Sequence, residues 1–251
     1  MPYTLSSAID EYHWIEYDAP VTVLPNIFMY CASDNVEVCL LFTEEGFVAG
    51  LQIAAEKNKF HDSMLDWHIQ GFTTWKVEVD GVQREFWTTQ QYYMSKELLE
   101  LSSEERVASY DSSKLVQGDA FWVSGLYGKL RNISMTDTGM LKEGFVLNNC
   151  IDRMGHHYYY NMTKQLPCTS EMIFPWSPLV MNNTVIGVAL NLLVRREEDS
   201  SGINYFEKNI EAGIRLTVTT GPECLFAAAD DPGIVTLHVY FIPDAYLITC
   251  P

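Results

Sequence analysis

The feature that most restricts how this chain can fold is a pattern that occurs twice. Residues 38–42 and 47–54 are apolar strands around the turn Glu44-Glu45-Gly46. Residues 176–181 and 185–192 repeat that hairpin around Asn182-Asn183. Gly187 follows Gly50 by 137 residues, and Cys168 follows Cys31 by the same interval. The closing segment 236–241, with His238 and Tyr240, echoes 89–94 at an interval of 147. The difference of ten fits an insertion, and the acidic stretch 197–202 stands where one is needed. Hairpin, cysteine and closing strand in the same order predict an internal duplication.

The expected fold is therefore mainly β with one or two short helices, in two related β-rich lobes of sandwich- or barrel-like packing. Residues 1–115 form the first lobe, with its helix near 95–107, where Ser95 caps 96–101 and a second capped turn follows at 103–107. Residues 116–251 form the second lobe. In the first, Trp75-Lys76-Val77-Glu78-Val79 alternates apolar and polar residues, and Asp80-Gly81 turns it into a further strand.

Charge and cysteines bound the partners and the compartment. With 33 acidic residues against 16 basic ones, the net charge of −17 repels phosphate backbones and anionic lipid, so nucleic acid is not an expected partner. No apolar run reaches the ~20 residues that span a bilayer, so membrane insertion is not expected either. The six cysteines (31, 39, 150, 168, 224, 250) show no zinc-like spacing. Sequons stand at Asn132, Asn161 and Asn182. Even cysteine count, acidic surface and sequons together predict a mature secreted chain whose leader has been removed. Shortest loops suggest the bridges Cys31–Cys39, Cys150–Cys168 and Cys224–Cys250, out of fifteen possible sets of pairings.

The chemistry concentrates at Arg153-Met154-Gly155-His156-His157-Tyr158-Tyr159-Tyr160. On a strand His156, Tyr158 and Tyr160 share one face, and His157 and Tyr159 the other. An imidazole beside phenols can move protons, so His156 and Tyr158 are the candidate acid/base pair. His238 lies mid-strand among apolar residues, where an unpaired imidazole is costly, and is the expected histidine neighbour of His156. Arg153, Tyr160 and Tyr240 are the candidate substrate contacts, with Arg153 placed to hold an anionic substituent. The same residues equally suit a hydrogen-bonded core strand, with Arg153 in a salt bridge, and that alternative stays open. Adjacent histidines on a strand diverge and no HExxH occurs, which argues against a metal. Nor is there a GxSxG or a phosphate-cradling glycine loop.

Met154-Gly155-His156-His157-Tyr158, followed by Cys168, the Phe174-Pro175 hairpin and the Thr236-x-His238-Val239-Tyr240-Phe241 strand, resembles a group of secreted invertebrate proteins. Met29-Tyr30-Cys31 and Val38-Cys39-Leu40-Leu41-Phe42-Thr43-Glu44 resemble the luciferases secreted by bioluminescent syllid worms. The resemblance implies oxidation of a small aromatic luciferin by molecular oxygen, with emission of light and no bound organic cofactor. Residue chemistry points the same way, to a small aromatic or apolar molecule in an enclosed aromatic-lined pocket. The alternative is a non-catalytic secreted protein that binds a small apolar ligand or a protein partner. A hydrolase using carboxylates that spacing does not place is the third reading.

Overall fold

The computed structural model describes Pro2 and residues 4–197 and 204–250, and the chain divides into two units. The first comprises Met1–Asn58, Gly71–Ser124 and Gly128–Asn132, and the second Lys59–Gln70, Gly125–Tyr127 and Ile133–Pro251.

The first unit begins with helix α1 (Leu5–Asp10), capped by the Thr4 hydroxyl, and strands β1 (Ile15–Tyr17), β2 (Phe28–Ala32), β3 (Asn35–Phe42) and β4 (Val48–Glu56). The short β5 (Phe60–His61) belongs to the second unit. Then come β6 (Thr73–Val79), β7 (Val82–Tyr92), the helices α2 (Lys96–Leu99) and α3 (Ser103–Ser109), β8 (Ala120–Ser124) and β9 (Leu130–Ser134). The sheet runs β1-β2-β3-β4-β7-β8-β9, with β6 also on β7. Its turns follow from local chemistry. Asp80 and Gly81, both at positive φ, close β6 onto β7 as an Asp-Gly hairpin does. In α3, Ser102 and Glu105 form a capping box.

The second unit adds α4 (Asp137–Lys142), β10 (Phe145–Ile151), β11 (Gly155–Tyr160), β12 (Trp176–Met181), β13 (Thr184–Leu193), β14 (Arg195–Arg196) and β15 (Glu207–Asn209). Helices α5 (Glu211–Thr217) and α6 (Glu223–Ala228) lead to β16 (Ile234–Tyr240). Its sheet order is β10-β11-β12-β13-β16-β15, and β14 pairs separately with β5. Six short α-helices thus stand among the described residues, against an expectation of one or two. At four to seven residues each, they are too short for a 3.6-residue apolar period to show in sequence.

Four strands recur in the same order in the two sheets, β2-β3-β4-β7 in the first and β11-β12-β13-β16 in the second. In the first, Leu41 pairs with Gly50 and Phe42 with Val48, and Gly50 pairs with Tyr92. In the second, Leu179 pairs with Gly187 and Val180 with Val185, and Gly187 pairs with Tyr240. Both hairpins therefore carry a bulge just beyond the glycine pair. The closing strands correspond at an interval of 148 residues, one more than the sequence match suggests, so the counterpart of His238 is Gln90. Most of the acidic stretch proposed as the insertion lies outside the described residues.

Three disulfides form, and two differ from the shortest-loop expectation. Cys31 joins Cys39, but Cys150 joins Cys250 and Cys168 joins Cys224. Sequence distance misleads here because the chain's end returns to the β10–β11 turn. Arg153 N donates to Ile248 O at 2.8 Å, and Cys250 N to Asp152 Oδ1 at 2.8 Å. Cys168 packs on the apolar cluster of Leu225 and Phe226 in α6, beside Cys224.

Candidate functional site

The histidines on β11 go to opposite faces, and the structure puts His238 with His157 rather than with His156. Register explains the placement. Leu179 lies opposite His157, Gly187 opposite Leu179, and Tyr240 opposite Gly187. Two residues along each strand, Ser177, Ala189 and His238 form the next row. His157, Tyr159, Ser177, Asn191, His238 and Tyr240 therefore share one face. On a flat sheet β11 and β16 would stand three spacings apart, about 14 Å. The rings of His157 and His238 nonetheless approach to 6.2 Å, edge to face, because Gly187 and Ala189 between them leave room.

Each imidazole is backed by a tyrosine from its own strand. His157 lies parallel to Tyr159 at 6.3 Å, and His238 parallel to Tyr240 at 6.4 Å. Tyr159 enters the apolar cluster formed with Ile214 of α5 and Leu225 and Phe226 of α6, so those helices cover this face. Asn191 Nδ2 donates to Ser177 Oγ at 2.9 Å and to Pro175 O at 3.0 Å, and Ser177 shares a hydrogen bond with Tyr159.

Burial sets the electrostatics. His157 is 2 % exposed, and desolvation, reinforced by His238, pushes its imidazole down to about 4. Its Nδ1 has no well-aligned hydrogen-bond partner, and the ring's contacts with the backbone of Gly155 and Asn149 only partly oppose the shift. His238 Nδ1 lies 3.5 Å from Glu207 Oε2, an ion-pair distance without the alignment of a hydrogen bond. The His238 ring holds the Glu207 carboxyl below the usual carboxylate range. Burial and the Glu207 charge push the Tyr240 phenol up to about 12, so it remains protonated and donates to Arg153 O at 3.1 Å.

The other sequence-predicted residues occupy different surroundings. His156 Nδ1 lies 3.4 Å from Asn148 O across the β10–β11 hairpin. Tyr158 is buried, and that burial raises its pKa. Tyr160 packs edge-on against Phe145 at 5.5 Å and Phe174 at 5.7 Å. Arg153 sits exposed in the turn at φ 70° and meets Tyr240 through its backbone carbonyl rather than its guanidinium. Neither of two cavities in the second unit, one at the β14–β16 corner and one beside α5 and α6, is lined by these residues.

His157, Tyr159, Ser177, Asn191 and Glu207 are the members that sequence reading passed over. Every side chain from 156 to 160 is amphipathic, so no polar–apolar alternation marks the inward face. The duplication as read in sequence did not help, because the interval between β2 and β11, from Met29 to His157, is 128 residues rather than 137. Strand pairing, not the 137-residue interval, places His157 where the first unit buries Met29, and it makes Tyr159 rather than Cys168 the counterpart of Cys31.

Compared with protein-family models, with curated proteins and with solved structures, the chain matches none.

Proposed function

We propose that the second unit carries an acid–base centre, His238 with Glu207, His157 and Tyr240, and that the protein is a secreted, luciferase-like enzyme oxidising a small aromatic substrate with molecular oxygen. The observation that carries this reading is the burial of two imidazoles against one another, one Nδ1 beside a carboxylate and the other without a well-aligned partner. Such an arrangement costs stability, and perturbed, desolvated groups concentrate at functional sites. His238 is the accessible member, its side chain 11 % exposed against 2 % for the whole of His157. Glu207 orients it for taking a proton from an acidic C–H or phenolic O–H of the substrate. His157 and Tyr240 fix its ring from two sides, and oxygen is the co-substrate.

Secretion is supported by three disulfides, by the exposure of all three sequon asparagines (Asn132, Asn161 and Asn182), and by the lack, among the described residues, of a helix long and apolar enough to cross a membrane. A non-catalytic role is favoured by one specific observation, the close packing around His157, which is 2 % exposed.

The experiment is to incubate the protein with extract of the source organism and record light and oxygen uptake. His238→Gln is expected to lower turnover by about 100-fold or more, and His156→Gln to leave turnover per folded molecule nearly unchanged. Absence of both light and oxygen uptake, or equal loss in the two variants, rejects the acid–base centre.

A further inference from the structure

The β6–β7 hairpin leaves one side of β6 unfinished. Asp80 and Gly81 form a two-residue turn, so Val79 and Val82 beside it exchange backbone hydrogen bonds, and Val77, Trp75 and Thr73 follow toward β7 at every second residue. The N–H and C=O groups of Thr74, Lys76 and Glu78 therefore point away from β7. Glu85 bears the alternation out, since it stands opposite Lys76 and sends its own carbonyl to Lys57 N, on the β4 side, at 2.9 Å. Among the described residues no strand pairs on the outer side of β6 and no loop backbone bonds to it. β10, an edge strand of the same length, has α4 and α5 packed against it instead.

The side chains of β6 are sorted by face. Trp75 and Val79 are buried in the apolar cluster with Val77 half-buried against it, and Lys76 and Glu78 are exposed on the other face. Neither charge is strongly committed. Lys76 stands opposite Glu85, whose carboxylate already accepts from Lys57 at 2.8 Å, and Glu78 accepts from the neutral Gln83 amide at 3.4 Å. A lysine on an edge ordinarily discourages a further strand. Here a glutamate two residues on makes the edge complementary to itself. When two copies of β6 meet antiparallel about a two-fold axis at Val77, Lys76 of each copy lies opposite Glu78 of the other, in pairs whose backbone groups face the join. Moving the register by two residues sets Lys76 against Lys76 in one direction and Glu78 against Glu78 in the other.

We propose that the outer side of β6 is a docking edge for a second copy of this chain, closed by reciprocal backbone hydrogen bonds and by a Lys76–Glu78 ion pair on each side of the axis, with Val77 against Val77 at the centre. One strand pair buries less than the ~1,200 Å² of stable complexes, and each copy carries a net charge of −17, so the dimer is weak and reversible. The inference concerns the first unit and does not rest on chemistry at His238.

The test is sedimentation equilibrium of the full, disulfide-bonded chain from about 10 µM to about 1 mM, at about 0.15 M salt, where charges more than ~8 Å apart are largely screened. A monomer–dimer equilibrium is expected. Lys76→Glu and Glu78→Lys should each weaken it by about tenfold or more, although they shift the net charge in opposite directions. The double variant Lys76→Glu, Glu78→Lys keeps the net charge, rebuilds both pairs and should return to the parent's affinity. An equimolar mixture of the two single variants should associate as the parent does, because each supplies the charge the other lacks. Lys76→Pro takes away an outward N–H without touching the β6–β7 ladder and should abolish association at an unchanged melting temperature. If it melts early, the charge reversals at the exposed positions decide. A chain that stays monomeric throughout that range, which would leave the edge to a different protein, overturns the proposal, as does a dimer indifferent to the two reversals or not restored by the double variant.

Discussion

The two units share a strand plan and differ in what they place on the corresponding face. In the first, Met29, Cys31, Cys39, Leu41, Ala54 and Tyr92 belong to one apolar cluster. The second puts His157, Tyr159, Ser177, Leu179, Asn191 and Tyr240 at those positions. The directly opposed disulfide pair Cys31 and Cys39 becomes the hydrogen-bonded pair Tyr159 and Ser177. Gln52 and Gln90, joined at 3.1 Å with Ser124 Oγ also on Gln90 at 3.1 Å, become Ala189 and His238. Unpartnered polar atoms occur in both units, since Gln52 Nε2 lacks a hydrogen bond too. What distinguishes the second is the gathering of ionisable rings on a face where its counterpart carries apolar side chains and two glutamines. A duplicated scaffold leaves one copy free to hold the fold while the other carries chemistry at some cost in stability.

The largest expected effect tests whether the scaffolds are in fact equivalent. A Cβ on Gly50 would stand 2.4 Å from Gln91 O, and one on Gly187 2.6 Å from Val239 O. Both obstacles are ladder carbonyls, which cannot move without breaking strand pairing. Gly50→Ala and Gly187→Ala should each cost about 3 kcal/mol or more, at the upper end of overpacking penalties. Chemical denaturation measures both. A Gly187→Ala variant as stable as the parent would break the equivalence.

These glycines also show what could be read from sequence. Gly50, Gly187 and the hairpins around them carry the duplication, because an apolar run interrupted by glycine and closed by a turn leaves a mark that identity does not. The closing strand was placed one residue out because a short match with few identities does not fix register, whereas the pairing of Gly50 with Tyr92 and of Gly187 with Tyr240 does. That slip, with the unpatterned run of rings from His156 to Tyr160, hid the inward face and paired His238 with the wrong histidine. The bridges Cys150–Cys250 and Cys168–Cys224 were illegible for another reason. They depend on where the C-terminal segment and α6 dock, and docking leaves no local signal.

The second comparison separates the units by acid. His157 has a folded pKa of about 4 against an ordinary 6.5. Between those values the unfolded state binds more protons, so stability falls as pH drops from about 6.5 to 4, by about 3 kcal/mol in all. In the first unit the Arg106 guanidinium holds the Glu45 carboxyl at about 2, below its usual 4.5, and the two groups meet at 2.7 Å. Glu45 is a depressed carboxylate, so its contribution is present above pH 4.5 and is lost as pH falls toward 2. His157→Met, which copies Met29, should flatten the upper part of the stability–pH curve and leave the lower part. An unchanged slope between pH 6.5 and 4 would mean that His157 takes up its proton without resistance.

The smallest effect concerns the paired positions that one unit links covalently and the other by a hydrogen bond. Reducing the Cys31–Cys39 bridge with a Cys31→Ser, Cys39→Ser double variant opens a loop of sequence separation 8. On chain-entropy grounds that should cost about 2.5 kcal/mol. Tyr159→Phe removes only a phenolic oxygen. Ser177 Oγ keeps the hydrogen bond it accepts from Asn191 and loses only the one it shares with Tyr159, and the expected cost is about 1 kcal/mol. The Tyr159 ring remains to pack on α5 and α6 and to lie against His157. The variant therefore tests the hydroxyl apart from the ring. If Tyr159→Phe costs as much as losing the bridge, the polar row is a main support of the second unit, and the case for chemistry at His238 weakens accordingly. If the cost stays near 1 kcal/mol while turnover falls, the hydroxyl serves the reaction rather than the fold.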